Sequence, residues 1–212
     1  KVLEYPNNKY SEDAMLMGAE MAYTAKDYEK ALHIYKQLKD KAASMERRQL
    51  AKTGMLRSAH MLGNEEEIIF TATDLLADTK LAPELSNEAH YYRAKAYLDA
   101  GKTDGAMEDL KILAKDTRNV YGAEAKYKVA QIYFDGGQTD KAEQEVLNYI
   151  EVSTPHTYWL ARSFVLLADV YMKSGRNLDA KQYLLSLKQN YQADDDIAGM
   201  IESRLEKLKT EN

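Results

Sequence analysis

The sequence predicts an all-α solenoid: five helical hairpins stacked in series and closed by one capping helix. Three observations carry that prediction. A frame of small residues recurs five times, glycine stands at the same place in four of the five copies, and all three prolines fall between copies rather than inside them.

The frame begins at Ala19, Leu56, Ala94, Ala130 and Ala168. Twelve residues later, without exception, come Ala31, Ile68, Ala106, Ala142 and Ala180. Four residues further on stand Tyr35, Ala72, Leu110, Val146 and Leu184. Between the first two sets lies a turn position held by Lys26, Gly63, Gly101, Gly137 and Gly175. The distance from one copy to the next, from Ala31 through Ala180, runs 37, 38, 36 and 38. The turn inside each hairpin is therefore fixed, and length varies only in the second helix and its exit. Small residues matter because antiparallel helices approach to about 8–10 Å only where small side chains face each other. Glycine suits a chain leaving a helix through a left-handed conformation. One hairpin cannot bury its apolar face alone, so the copies must stack.

The elements follow in order. Helices are expected near 9–25 and 28–40, 44–62 and 65–78, 84–100 and 103–115, 120–135 and 139–151, and 156–174 and 177–190. They divide the chain into repeats of about 7–41, 42–80, 81–117, 118–153 and 154–192. Pro6, Pro83 and Pro155 fit first turns, where the missing N–H is no loss. Residues 1–6 match the end of a second helix, much as 188–192 do, and are expected to be the tail of a truncated preceding repeat. The chain would then be a C-terminal fragment of a longer array. Its first helix would expose an apolar strip including Met15, Ala19 and Ala22, an edge open to self-association. In 193–212, Ile197, Ile201, Leu205 and Leu208 form one helical stripe, with Glu202, Lys207 and Lys209 on a polar outer face, as a capping helix requires. Asp194-Asp195-Asp196 before it suit a helix N-terminus, and are read as a solvated cap rather than a metal site.

Composition narrows function. A net charge of −5 with interspersed signs provides no basic stripe for nucleic acid. No run of eighteen apolar residues could span a bilayer. The absence of cysteine removes disulfides and thiolate sites. His33, His60, His90 and His156 do not pair at helical spacing, so no helical metal motif arises. Gly136-Gly137 ends a helix and lacks the strand–loop–helix setting of a phosphate loop. The expectation is a non-catalytic chain without cofactor or metal. Tyr97, Tyr133 and Tyr171, which share one frame position, are expected in the core.

The motif small-x-x-Tyr-x-x-x-Gly followed by Ala-x-x-x-aromatic/Leu, with Lys26-Asp-Tyr-Glu-Lys-Ala31 as its most typical turn, resembles the tetratricopeptide repeat family over nearly the whole chain. Two features depart from it. The family period is about 34, and the family's early Trp is replaced by Met15, Lys52, His90, Lys126 and Phe164. The resemblance implies a right-handed superhelical solenoid acting as a scaffold for a protein or peptide partner. It also implies a concave groove lined by positions 5, 9 and 12 of each first helix. The candidates so placed are Tyr23, Arg57, His60, Tyr91, Lys95, Tyr127, Gln131, Phe134 and Asp169, with Tyr91, Lys95, Tyr127, Gln131 and Phe134 as the expected centre. The opposing expectation is that curvature buries these side chains against one another. A cytosolic chaperone adaptor would carry Lys and Asn at positions 5 and 9. Leu16/Glu20 and Tyr91/Lys95 stand there instead, so that carboxylate clamp is absent. A regulatory or sensor segment of a larger protein is a further alternative. The Tyr-Pro exits and the 36–38 spacing look like repeat proteins of the bacterial cell envelope, which favours a periplasmic or envelope location over the cytoplasm.

Overall fold

The computed structural model describes residues 9–210, which form eleven α-helices and no strand. Five hairpins come first: α1 (Lys9–Thr24) with α2 (Tyr28–Lys41), α3 (Met45–Leu62) with α4 (Glu65–Leu76), α5 (Pro83–Asp99) with α6 (Thr103–Leu113), α7 (Val120–Asp135) with α8 (Thr139–Ile150), and α9 (Thr157–Lys173) with α10 (Asn177–Asn190). A single helix, α11 (Ile197–Thr210), follows them. Most of the expected boundaries hold to within one residue, and the largest error falls at the ends of α4 and α6, where the helices stop two residues early. The expected tail at residues 1–6 lies outside the described residues.

All five hairpin turns are built alike. Lys26, Gly63, Gly101, Gly137 and Gly175 have φ between 63° and 73°, and Lys26 is the one residue other than glycine among the described residues with a positive φ. The next N–H in each case reaches back to a carbonyl five residues earlier: Asp27 to Ala22, Asn64 to Ala59, Lys102 to Tyr97, Gln138 to Tyr133 and Arg176 to Tyr171. This bond satisfies a carbonyl that the helix end would otherwise orphan. Side chains cap several helix starts in the same way. Asp27, Ser44, Asn64 and Asn119 accept hydrogen bonds from the N–H groups of Lys30, Arg47, Glu67 and Gly122. Pro83 opens α5, where its missing N–H costs nothing.

The recurring frame is the core. All fifteen residues at its three positions are buried. The chain divides into two compact units, Lys1–Asp109 and Leu110–Asn212, with the division inside α6. In the first unit, Ala19, Ala31 and Tyr35 cluster with Met55, while Leu56, Ile68 and Ala72 cluster with Leu75 and Ala96. In the second, Ala130, Ala142, Val146, Ala168, Ala180 and Leu184 share one core with Ile197, Ile201, Leu205 and Leu208 of α11. Those four α11 residues are the stripe read from the sequence. Tyr171 is buried as expected, whereas Tyr97 and Tyr133 are half-buried.

A second layer of contacts holds the two helices of a hairpin together at the position where the family carries Trp. Lys52 is buried and its Nζ lies 2.9 Å from Asp78 Oδ1 and 3.0 Å from Asp74 Oδ1. His90 Nδ1 lies 2.7 Å from Asp109 Oδ1, and Lys126 Nζ 2.7 Å from Glu145 Oε2. Phe164 meets Tyr183 with ring centroids 6.1 Å apart. Polar pairs thus replace the aromatic contact in three hairpins. Asp109 is 1% exposed and is also gripped by both Nε and Nη2 of Arg93. Burial alone would raise its carboxyl pKa, but the hydrogen bonds from Arg93 and His90 outweigh burial and hold it below the ordinary range.

The expected apolar strip on α1 is corrected. Met15, Ala19 and Ala22 are buried within the first unit, because they face α2 and α3. The exposed apolar side chains of α1 are Tyr10, Met17 and Met21.

Candidate functional site

First helices supply the expected groove positions, and several of them converge at two places in the first unit and at one in the second. In the first unit, Leu16, Glu20 and Tyr23 of α1 face Thr53, Gly54 and Arg57 of α3 across a hollow of about 410 Å³. Thr24, Tyr35 and Leu50 complete its lining. These convergent residues include positions 5, 9 and 12 of the first repeat and 5 and 9 of the second. Helical periodicity explains the convergence, since residues three and four apart share one face.

Arg57 is fixed rather than floating. Its Nε and Nη2 donate to the two carboxylate oxygens of Glu88 at 2.7 and 2.8 Å. Glu88 is buried on α5, and the two-point pairing sets the plane of the guanidinium. Tyr23 packs edge-on against Tyr28 with centroids 5.3 Å apart, and burial pushes its hydroxyl pKa up. His60 lies outside this hollow. It stacks on Tyr92 at 4.2 Å between centroids, and burial and the nearby Lys95 charge lower its pKa. Lys95 sits 5.6 Å above the ring of Tyr91, and Tyr91 lies 5.8 Å from Tyr92. These four side chains form an aromatic and cationic group on α3 and α5, separate from the hollow's lining.

The second unit brings together Tyr127, Gln131 and Asp169, but not as an open anchor site. Tyr127 is 5% exposed, which corrects its expected role as an accessible aromatic. Its ring lies in the core beside Trp159, 5.6 Å away. Only its hydroxyl edge is left for polar contact, and that edge donates to Gln131 Oε1 at 2.7 Å and accepts from Arg162 Nη2 at 3.3 Å. Gln131 in turn donates to Asp135 at 2.8 Å. Asp169 receives both Nε and Nη2 of Arg204 at 2.7 and 2.6 Å. The residual space among Tyr127, Gln131, Arg162, Asp169, Met200 and Arg204 is about 140 Å³. Met200 and Arg204 of α11 close this face, with Arg204 drawn across it to Asp169. Phe134 is half-buried on the same core, under Lys173 at 4.8 Å.

Sequence reasoning missed Glu88 and Arg204, the partners that immobilise Arg57 and Asp169. Complementary charge one repeat ahead, 31 and 35 residues on, was the available signal. Asp195 accepts from the Ile197 N–H at 3.0 Å and from the Tyr191 hydroxyl at 2.6 Å, and Asp196 pairs with Arg162 at 3.3 Å. Two of the three consecutive carboxylates are thus engaged around the start of α11. Among the described residues no group of three His, Cys, Asp or Glu is arranged to hold a metal, and no helix is long and apolar enough to cross a membrane.

Stacked helical hairpins with glycine turns and small-residue crossings define an α-helical repeat protein. The sequence profile of the tetratricopeptide repeat matches residues 88–116. Three crystal structures share the fold. MamA aligns over 84% of this chain and 90% of its own at a TM-score of 0.66 and 17% identity. BtubC of P. vanneervenii aligns over 87% and 84% at 0.59 and 13% identity. A thermophilic tetratricopeptide repeat protein of Thermus thermophilus aligns over 92% and 98% at 0.50 and 18% identity. No curated protein sequence matches the chain. Residues 88–116 thus match a tetratricopeptide repeat, and the chain as a whole has the fold of tetratricopeptide repeat proteins, a fold consistent with a protein–protein interaction scaffold.

Proposed function

We propose that the hollow between α1 and α3 binds an internal segment of another polypeptide. An apolar or aromatic side chain of that segment sits between Leu16, Tyr23 and Leu50. Glu20 accepts from its backbone N–H groups, and the Nη1 of Arg57, left over from the Glu88 pairing, meets a carbonyl. The observation that carries this reading is the composition of the wall. Five of the nine lining residues, Leu16, Glu20, Tyr23, Thr53 and Arg57, stand at the positions from which tetratricopeptide hairpins build a groove. The hollow's volume of about 410 Å³ falls within the usual range for a binding cleft. Arg57 is already immobilised by Glu88, so little side-chain freedom remains to be lost on binding. Lys and Asn do not occupy positions 5 and 9 of either helix, which disfavours a terminal carboxylate as the ligand.

Panning a peptide phage library against the protein tests this reading. Enriched peptides are expected to share an apolar or aromatic anchor and to lose binding at least tenfold to a Glu20→Arg/Leu50→Glu variant. Both substituted side chains are exposed, so the variant should melt within a few degrees of the parent. Peptides that bind parent and variant equally would place the binding surface elsewhere.

A further inference from the structure

One residue after the first small position of each repeat, the first unit carries Glu20 on α1, Arg57 on α3 and Lys95 on α5. These three helices lie side by side in that order, so the shared frame position projects the three charges onto one surface. Only the middle charge is neutralised. Arg57 is engaged by both carboxylate oxygens of Glu88 at 2.7 and 2.8 Å. Glu20 is exposed at the wall of the α1–α3 hollow and has no cation in ion-pair contact among the described residues. Lys95 is exposed as well and lies 5.6 Å above the Tyr91 ring. No carboxylate among the described residues pairs with it, although Asp99 stands one turn further along α5. Along this face the charge therefore reads negative, neutral, positive.

That order also has a length. Neighbouring helix axes lie about 8–10 Å apart, which puts Glu20 and Lys95 roughly 20 Å from each other. An extended chain rising about 3.3 Å per residue covers the distance in about six residues. The apolar hollow lies at the Glu20 end, between Leu16, Tyr23 and Leu50. At the Lys95 end the surface is aromatic, with the rings of His60 and Tyr92 stacked at 4.2 Å between centroids and Tyr91 5.8 Å from Tyr92. Glu20 can take a backbone N–H and a cation together, since an ionised carboxylate offers about four acceptor sites.

We propose that the partner of this groove is an extended segment with charge of opposite sign at its two ends. A lysine or arginine beside its apolar anchor pairs with Glu20, and an aspartate or glutamate about six residues away pairs with Lys95. This inference rests on the groove reading above and adds to it the sequence class of the ligand. A segment laid the other way round meets like charge at both stations, so the order of charge selects both the segment and the direction in which it lies.

The test is to pan a random peptide display library in parallel on the parent chain, on Glu20→Gln and on Lys95→Gln. Both side chains are exposed, so the variants should melt with the parent. Peptides selected on the parent should carry a basic residue next to the anchor and an acidic residue about six positions away. Selection on Glu20→Gln should lose the basic preference alone, and selection on Lys95→Gln the acidic preference alone, with the anchor kept in both. For a parent-selected peptide, Glu20→Lys should weaken binding by about tenfold, and replacing the peptide's basic residue with glutamate should recover it. Peptides that lose binding to Leu50→Glu but show neither charge preference overturn the proposal and leave the groove reading standing. Peptides that bind Leu50→Glu as well as the parent overturn both.

Discussion

The ring of Tyr35 fills the space that a side chain at position 54 would need: a Cβ built on Gly54 would clash with the Cζ end of that ring. Tyr35 is the bulkiest residue at the third frame position, and it meets the one glycine available to receive it. At the next junction the volumes are exchanged, with Ala72 on α4 and Tyr92 on α5 in one cluster. Gly54→Ala is therefore expected to cost about 2 kcal/mol by overpacking. In a Tyr35→Ala background the same change should cost much less. Urea unfolding of the four proteins in a double-mutant cycle measures the difference, and strict additivity would contradict the contact.

Turn stability should separate by residue type. A non-glycine residue in the left-handed region carries strain of roughly 1–2 kcal/mol, partly offset because glycine has more freedom to lose on folding. Lys26→Gly is expected to raise stability by about 1 kcal/mol. Gly137→Ala, at φ 73°, should lower it by about the same amount. Nothing lies within 4 Å of an added Cβ at Gly137, so the loss reads backbone strain rather than a clash.

Asp109 provides a pH signature. Its carboxyl is held below the ordinary value of 3.8, so the folded chain takes up this proton at lower pH than the unfolded chain does. The stabilisation is complete above about pH 4 and is lost as pH falls through the folded value. Asp109→Asn should cost about 3 kcal/mol at neutral pH, since it leaves Arg93 and His90 facing a neutral group in a buried site. The variant should also lose less stability than the parent between pH 5 and pH 2, read from urea midpoints at each pH.

The repeat frame was legible because each position answers to one local demand. Ala19 and Ala31 must be small for helices to cross, and Gly63 must tolerate a positive φ. Periodicity reports such demands directly. The polar pairs were less legible, because a Lys at position 52 or a His at 90 reads as surface until its partner in the next helix is known. The groove divided along the same line. The frame placed Leu16, Glu20 and Arg57 together, since helical spacing alone decides their face. It could not show that Tyr127 is drawn into the core by Trp159, or that Arg204 of α11 would engage Asp169, because those outcomes depend on what the following helix carries. The apolar edge of α1 was misread for a related reason: Met15, Ala19 and Ala22 obey the frame so well that they face inward.

The charge pairs that tie α3 to α5 and α9 to α11 run in opposite senses. Arg57 comes first and Glu88 follows, whereas Asp169 comes first and Arg204 follows. Hairpins built on one shared frame risk docking out of order as the chain folds, skipping one neighbour to settle on the next. The second hairpin laid directly before α11 would bring Arg57 against Arg204, two cations where one bidentate pair is needed. The fourth could not replace the second in front of α5 either, because Gln131 holds the place of Arg57 and would leave buried Glu88 without its guanidinium. Sequence order in this chain is thus written a second time in the sign of its contacts, and a shuffled arrangement of the same hairpins should fold less cooperatively than the natural one.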